Sequence, residues 1–282
     1  MAGRFSRSLE LARASWSVVQ ADKELMWFPV MSFIALVLIL GSLAAPVAVL
    51  GGLSAETAAG PGPASWLGVL AFYILAYFIG LFFNTALVGA AMIRLDGGNP
   101  TVADGLRVAW SRVGAIFGYA CIAATVGMFL RALEDRVGWI GQFVVRLIGV
   151  AWALATFLVV PVLVTRDVGP VDAVKESAGL LKETWGENII GSVGLSFAFG
   201  VAYFCLIVAC GVAIGLAVQI SAHILVAAVV LIGVVAFMVL ATLQATMQGV
   251  YSAALYRYAT HTGTQVPGFG PDLLQQAFKT KG

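Results

Sequence analysis

Charged residues are scarce in this sequence, and long stretches contain none. Asp, Glu, Lys and Arg make up 11% of the 282 residues, whereas 61% are hydrophobic; soluble globular domains carry about a quarter charged residues. Between Asn188 and Tyr256, sixty-nine residues, His223 is the only ionisable side chain apart from Tyr and Cys. A soluble domain cannot bury such a run, so the composition predicts an all-α, polytopic membrane protein.

Residues suited to catalysis and metal binding are also few. The chain has two histidines, His223 and His261, and three cysteines that all lie in apolar runs. Neither histidine has the paired spacing of a metal site, and no phosphate loop or dinucleotide fingerprint occurs. We therefore expect no enzyme, no catalytic residue, no cofactor and no metal. The net charge of +2 provides no basic stripe, which argues against a nucleic-acid partner.

Long uncharged runs are what the sequence does have, and they predict six transmembrane helices. The run Asn188–Tyr256 must hold two spans with a break at Gln219–His223, because a single helix would be about 100 Å long at 1.5 Å per residue. Gly51–Ser65 is predicted as a loop and Arg131–Arg136 as a short connection. The other four spans are predicted at about Met26–Leu50, Trp66–Ile93, Val113–Leu130 and Trp139–Thr165.

An amphipathic helix is predicted before each pair of spans, at 1–24, from Thr101 to Trp110, and within Arg166–Glu187. Thr101 is a plausible N-cap with Asp104 three residues on. The three helices end in Trp16, Trp110 and Trp185, which suit the headgroup level as interfacial anchors. A basic residue lies three positions before each Trp: Arg13, Arg107 and Lys182. We interpret the pattern as a threefold repeat of amphipathic helix and hairpin.

The predicted organisation is a single membrane domain over residues 1–282. Its parts are an interfacial helix at 1–24, hairpin 1 at 26–93, an amphipathic helix and hairpin 2 at 101–165, a second such unit with hairpin 3 at 171–259, and a tail at 260–282. Six spans put both termini on one side, with thirteen of the sixteen Lys and Arg residues. The positive-inside rule makes that side cytoplasmic.

The repeated helix ending in Trp, together with Val159–Val164, Ala173–Gly186 and Ala253–Ala259, resembles an uncharacterised family of six-span bacterial integral membrane proteins. That family is distantly similar to the membrane domain of glycerophosphodiester phosphodiesterases. The resemblance implies a multi-pass protein of the bacterial inner membrane with cytoplasmic termini. It implies no catalytic residue, and the phosphodiesterase activity does not transfer, because no catalytic domain is present.

Polar residues inside the spans are the candidate functional residues, since unsatisfied polar groups are costly in hydrocarbon. Gln244, Gln248 and Tyr251 lie on one face of span 6, and Asn84 of span 2 could meet Gln244 near mid-membrane. They form either interhelical hydrogen bonds or a polar path for solute. Arg146 in span 4 is a candidate intramembrane charge, which pairs with Glu134 or Asp135, snorkels outward, or raises a barrier that favours anions.

Two functions remain open from the sequence. The first is a homo-oligomeric channel or permeation protein for ions or small solutes, motivated by the polar face of span 6. The second is a non-transporting membrane organiser or scaffold that binds lipid or a partner through its cytoplasmic amphipathic helices. The lipid bilayer is a partner in both. Pairs of small residues four apart, such as Gly211 and Gly215, serve either packing within the bundle or contacts between subunits.

Overall fold

The structure is a computed structural model, and it describes residues 15–53, 63–183, 188–219 and 222–260. The regular structure in these residues is helical, and six stretches are long and apolar enough to cross a membrane. This confirms the predicted class. A helical segment at 15–21 and a 3-10 turn precede nine helices, named here α1 (Trp27–Leu53), α2 (Pro63–Leu95), α3 (Val102–Ser111), α4 (Val113–Glu134), α5 (Trp139–Ala155), α6 (Val159–Thr165), α7 (Pro170–Glu183), α8 (Asn188–Gln219) and α9 (His223–Thr260).

The start of α3 is fixed by a capping box, as predicted. The backbone N–H of Asp104 donates to Thr101 Oγ1, and the backbone N–H of Thr101 donates to Asp104 Oδ2 at 3.0 Å. Each side chain thus bonds to a backbone amide that has no i→i−4 partner at the start of the helix. The break in the longest apolar run is also confirmed, because α8 ends at Gln219 and α9 begins at His223.

Two predicted connections are shorter than expected. The helix α1 continues to Leu53 and α2 already begins at Pro63, so both ends of the predicted loop Gly51–Ser65 are helical. The helix α4 continues through the charged residues Arg131–Glu134. Charge alone does not end a helix, and Arg, Leu and Glu are good helix formers. The first fourteen residues, Trp185 and the tail beyond Thr260 lie outside the described part of the chain.

Predicted span 4 is broken in the structure, which corrects the expectation of one helix over Trp139–Thr165. α5 ends at Ala155 and α6 begins at Val159. The cause lies in Pro161, which has no N–H to donate to the carbonyl of Phe157 and whose ring would clash with that carbonyl in a continuous helix. In the first turn of α6 the same proline is tolerated.

Close contacts divide the chain into two compact units. The four-span unit comprises Trp27–Arg94 and Gly98–Glu183, and thus contains α1, nearly all of α2, and α3 to α7. The hairpin unit comprises, in its described parts, residues 15–26, Leu95–Gly97, 188–219 and 222–260, with α8 and α9 as its spans. The expectation of a single domain stays a prediction.

Packing in the four-span unit is concentrated at one end of its helices. Residues 85–92 of α2 are all buried, whereas exposed and half-buried residues predominate earlier in the helix. The rings of Phe78 and Phe117 lie 5.7 Å apart, so α4 begins near the level of Phe82 in α2. From Pro63 to Phe82 is 20 residues, or about 30 Å, the thickness of the hydrocarbon core.

Measured from Pro63, a hydrocarbon core of about 30 Å would end near Phe82 and would leave about 18 Å of α2 beyond it, at 1.5 Å per residue. Length and composition alone also allow a span at Leu70–Leu95. The level at which α4 begins and the complete burial from Thr85 to Met92 favour the earlier placement. We call this end the collar, defined as residues 85–94 of α2 together with α3, α6 and α7.

The hairpin unit shows a similar change along α9. Its two helices run antiparallel in one register, since Ser196 contacts Gln248, Tyr203 contacts Phe237, and Cys210 approaches Gly233. Apart from Tyr and Cys, no polar side chain occurs from Phe197 to Val218 or from Ile224 to Ala241, 22 and 18 residues. These lengths, about 33 and 27 Å, again match the hydrocarbon. Burial in α9 begins at Thr246 and continues to Tyr256, with Gln248 half-buried.

Candidate functional site

The helix α3 crosses α2 instead of running along it. A Cβ added at Gly105 would lie 2.6 Å from the carbonyl oxygen of Ala86, so the two backbones are in close contact. Val108 lies against Gly89, and the Trp110 ring lies 5.9 Å from the Phe82 ring.

Along α3 the contact on α2 moves from Ala86 to Gly89 and then back to Phe82. A helix parallel or antiparallel to α2 would contact it at steadily rising or steadily falling positions, so these contacts do not fit such a helix. In a membrane crossed by α2, this places α3 along the membrane surface. Trp110 lies nearer the apolar stretch of α2, and Val108 lies nearer the collar end of α2. The glycine at position 105 is required, because Phe28 Cζ also lies within 2.5 Å of the added Cβ.

The outward face of α3 carries a cation and an indole. The Arg107 side chain is 78% exposed and Trp110 is 71% exposed, and the two are one helical turn apart. Arg107 Nη1 donates to Asp104 Oδ1 at 3.0 Å. The Thr101 hydroxyl donates to the other carboxylate oxygen at 2.7 Å. That hydrogen bond, the Thr101 backbone N–H and the Arg107 charge together lower the pKa of Asp104.

Polar groups gather at the break between α5 and α6. The buried N–H of Leu158 donates to Ser177 Oγ on α7 at 3.0 Å. The Thr156 hydroxyl donates to the carbonyl of Trp152 at 2.8 Å. The hydrogen bond from Leu158 to Ser177 thus holds α7 against the break between α5 and α6. Its role is structural, and sequence analysis missed Ser177 because nothing marks a serine that caps a distant helix.

Ion pairs on the collar are mostly exposed and balanced. Arg112, at the junction of α3 and α4, pairs with Asp167, and Arg166 Nε lies 2.8 Å from Glu176 Oε1. Lys175 of α7 pairs with Asp172 one turn earlier. Exposed pairs of this kind contribute at most about 1 kcal/mol each. These pairs fix the orientation of the connections between the helices. Because each pair joins one cation and one anion, they give the collar no large excess of either charge.

Arg146 forms the ion pair that was one of its three predicted states. Its Nε lies 2.8 Å from Glu134 Oε1, and both side chains are partly exposed at the protein surface. Gln142 of the same helix donates to the carbonyl of Glu134 at 3.4 Å. These contacts join α5 to the end of α4 near the side opposite the collar. An anion barrier at Arg146 stays a prediction.

The predicted polar face of span 6 lies at the packed end of α9. The Gln248 amide donates to Ser196 Oγ of α8 at 3.2 Å, while Tyr251 is buried and Gln244 half-buried. Asn84 is half-buried in the four-span unit and directly precedes the first collar residue of α2. The first contact is the interhelical bond expected of such residues. The meeting of Asn84 with Gln244 stays a prediction.

Of the three predicted anchors, Trp16 and Trp110 are described, and both are exposed. Trp185 lies outside the described residues. The family comparison matches a single model, over residues 64–266. The chain belongs to DUF6159, a family of unknown function. The match covers seven of the nine helices completely, α3 to α9, and thus includes the collar and the break in span 4. Neither the curated proteins nor the solved structures give a match.

Proposed function

We propose that this DUF6159 member is a non-transporting membrane organiser that presents amphipathic helices at one membrane surface, where they bind lipid or a partner. The observation that carries the proposal is the placement of α3. It crosses α2 just beyond an apolar stretch of about 30 Å and faces outward with Arg107 and Trp110. An amphipathic helix held in this way is suited to the headgroup layer.

The polar face of α9 supports the same proposal. A permeation path needs Gln244 and Gln248 to meet solute within the hydrocarbon. The apolar stretch of α9 ends at Ala241, which puts both glutamines at or beyond its edge. Gln248 is moreover engaged with Ser196. The homo-oligomeric channel stays a prediction, as does the resemblance to the membrane domain of glycerophosphodiester phosphodiesterases.

The organiser proposal is tested on purified protein reconstituted in liposomes. Fluxes of potassium, chloride, protons and glycerol should equal those of protein-free liposomes. In parallel, native mass spectrometry counts the phospholipids that stay bound after detergent exchange. Gly105→Ala should reduce that number, because the added methyl displaces α3 from Ala86 and Phe28.

The matched control is Gly179→Ala on the other amphipathic helix, α7, where an added Cβ meets nothing within 4 Å. It should retain the lipid count of the unaltered protein. Flux above the protein-free level that Gln248→Ala abolishes would contradict the organiser and favour the channel. Equal lipid retention by both glycine variants would remove α3 from the proposed role.

A further inference from the structure

We infer that Arg107 and Trp110 form a binding site for the headgroup of an anionic phospholipid, with Asp104 as the internal competitor for the guanidinium. The inference rests on the proposed function and names the ligand class. It starts from the level of α3 in the membrane. The Trp110 ring contacts Phe82, which lies about 30 Å along α2 from its start at Pro63, the thickness of the hydrocarbon core.

The axis of α3 lies about 6 Å further out, because Gly105 contacts Ala86, four residues beyond Phe82. The headgroup layers add about 5 to 7 Å on each side of the hydrocarbon. Arg107 is therefore at the depth of lipid phosphates, with Trp110 at the hydrocarbon edge. An indole prefers that edge, where its ring is apolar and its N–H is wet.

The described partner of Arg107 uses only part of the hydrogen-bonding capacity of the guanidinium. Its single described partner is Asp104, through one hydrogen bond from Nη1, and the side chain is 78% exposed. A guanidinium has five N–H donors in a planar fork that matches phosphate geometry. An exposed pair three residues apart is weak enough for a phosphate to displace it. Asp104 then remains held by Thr101 through two hydrogen bonds.

The same spacing of base and Trp recurs at Arg13 with Trp16 and at Lys182 with Trp185. Of these residues, Trp16 and Lys182 are described, and both are exposed. The repeat would thus give the chain three such pairs. Other exposed cations, such as Lys175, lack a Trp three residues later, and they provide the comparison that the test needs.

The test measures lipid selectivity of the full chain in nanodiscs that contain phosphatidylcholine and spin-labelled phosphatidylglycerol. Electron paramagnetic resonance gives the fraction of labelled lipid that the protein immobilises. Arg107→Gln should lower the preference for phosphatidylglycerol about fivefold, the factor for one basic residue near an anionic surface. Asp104→Asn, which keeps a capping oxygen, should raise it about twofold, because an exposed competitor is removed.

Lys175→Gln is the matched control, since Lys175 is also exposed and paired with an acid three residues away; it should leave the preference unchanged. Equal losses in Arg107→Gln and Lys175→Gln would overturn the site, as would no change in either Arg107→Gln or Asp104→Asn. Displacement of the labelled lipid by millimolar glycerol phosphate would assign the site to soluble phosphate esters and also overturn it. Because Asp104→Asn predicts a gain, a folding defect cannot imitate support.

The outcome is separable from that of the proposed function. Lipid preference that depends on Arg107 in a protein that also conducts ions would retain this site and reject the organiser. A protein that conducts no ions and shows no Arg107-dependent preference for phosphatidylglycerol would be consistent with the organiser and would contradict this site.

Discussion

At the scale of single residues, Ser177 is the clearest case of a side chain whose importance the structure reveals. It is fully buried on α7 and accepts the N–H of Leu158 at the break before α6. Ser177→Ala leaves that buried amide without its partner, which costs about 1–3 kcal/mol. We expect this loss in the free energy of unfolding, measured by denaturant titration in mixed micelles. Ser111→Ala removes an exposed hydroxyl bonded within α3, and a comparable loss there would contradict the assignment.

A second prediction at this scale concerns the pH dependence of the α3 cap. The pKa of Asp104 is lowered from 3.8, first by the Thr101 hydroxyl and then by the Thr101 backbone N–H. Between the lowered pKa and 3.8 the unfolded chain binds more protons than the folded chain, so stability falls as pH drops through that interval. Above it the contribution of the cap is fully present.

Thr101→Val should therefore move the Asp104 pKa upward toward 3.8, since one of the two Thr101 hydrogen bonds is lost. Carbon-13 chemical shifts of the Asp104 carboxyl, followed across pH, give this value directly. Thr125→Val removes a hydroxyl that bonds to Cys121 in α4 and should leave the titration in place. An unchanged titration in Thr101→Val would show that the capping hydroxyl does not control the carboxyl.

At the scale of helices, α7 is seated by contact with α4 as well as by Ser177. A Cβ added at Gly118 would lie 2.9 Å from Cγ of Pro170, whereas one added at Gly114, a turn earlier, meets nothing within 4 Å. Gly118→Leu should lose about 1–3 kcal/mol of stability through overpacking, relative to Gly114→Leu. The comparison cancels the gain in helix propensity that both variants share. Equal unfolding free energies would contradict the seating of α7.

The sequence predicted helices well where local chemistry determines them. Thr101 and Asp104 mark the start of α3, and a charge-free run longer than two bilayers requires a turn near Gln219. The break in span 4 needed more than local information. Pro161 makes a break possible, but whether a buried amide can be left without its helical partner depends on Ser177, nineteen residues away.

The depth of polar residues was likewise undetermined by sequence. The prediction that Asn84 and Gln244 meet near mid-membrane assumed that the charged residue nearest to each of them on its helix marks the edge of the hydrocarbon. In the structure the end of α9, from Thr246 to Tyr256, is covered by other parts of the protein, with Gln248 half-buried. Residues covered by protein remain apolar outside lipid, so hydropathy alone lengthens the apparent span. Arg107 and Trp110 could be selected from the sequence, but their depth relative to the hydrocarbon could not be predicted from it.

At the scale of the whole molecule, we infer the same arrangement for each unit. A stretch of about 30 Å, rich in exposed apolar residues, crosses the membrane, and packed helix ends extend beyond it. In α9 the exposed side chains of Leu231, Val235 and Val239 mark the first region. The glutamines at 244 and 248 mark the boundary. Neither stretch contains a strongly charged residue. Composition alone therefore identifies the protein class, but it does not determine where along each helix the hydrocarbon ends.

The most direct test is a depth scan of α9 with nitroxide labels in reconstituted membranes. Single cysteines replace residues 231, 235, 239, 244 and 248 in a background where Cys121, Cys205 and Cys210 are alanine. Collision rates with oxygen and with a water-soluble nickel chelate give the depth of each label. We predict oxygen-dominated collisions from 231 to 239 and nickel-dominated collisions at 248. An oxygen maximum at 244 or 248 would place these residues within the hydrocarbon and contradict the account.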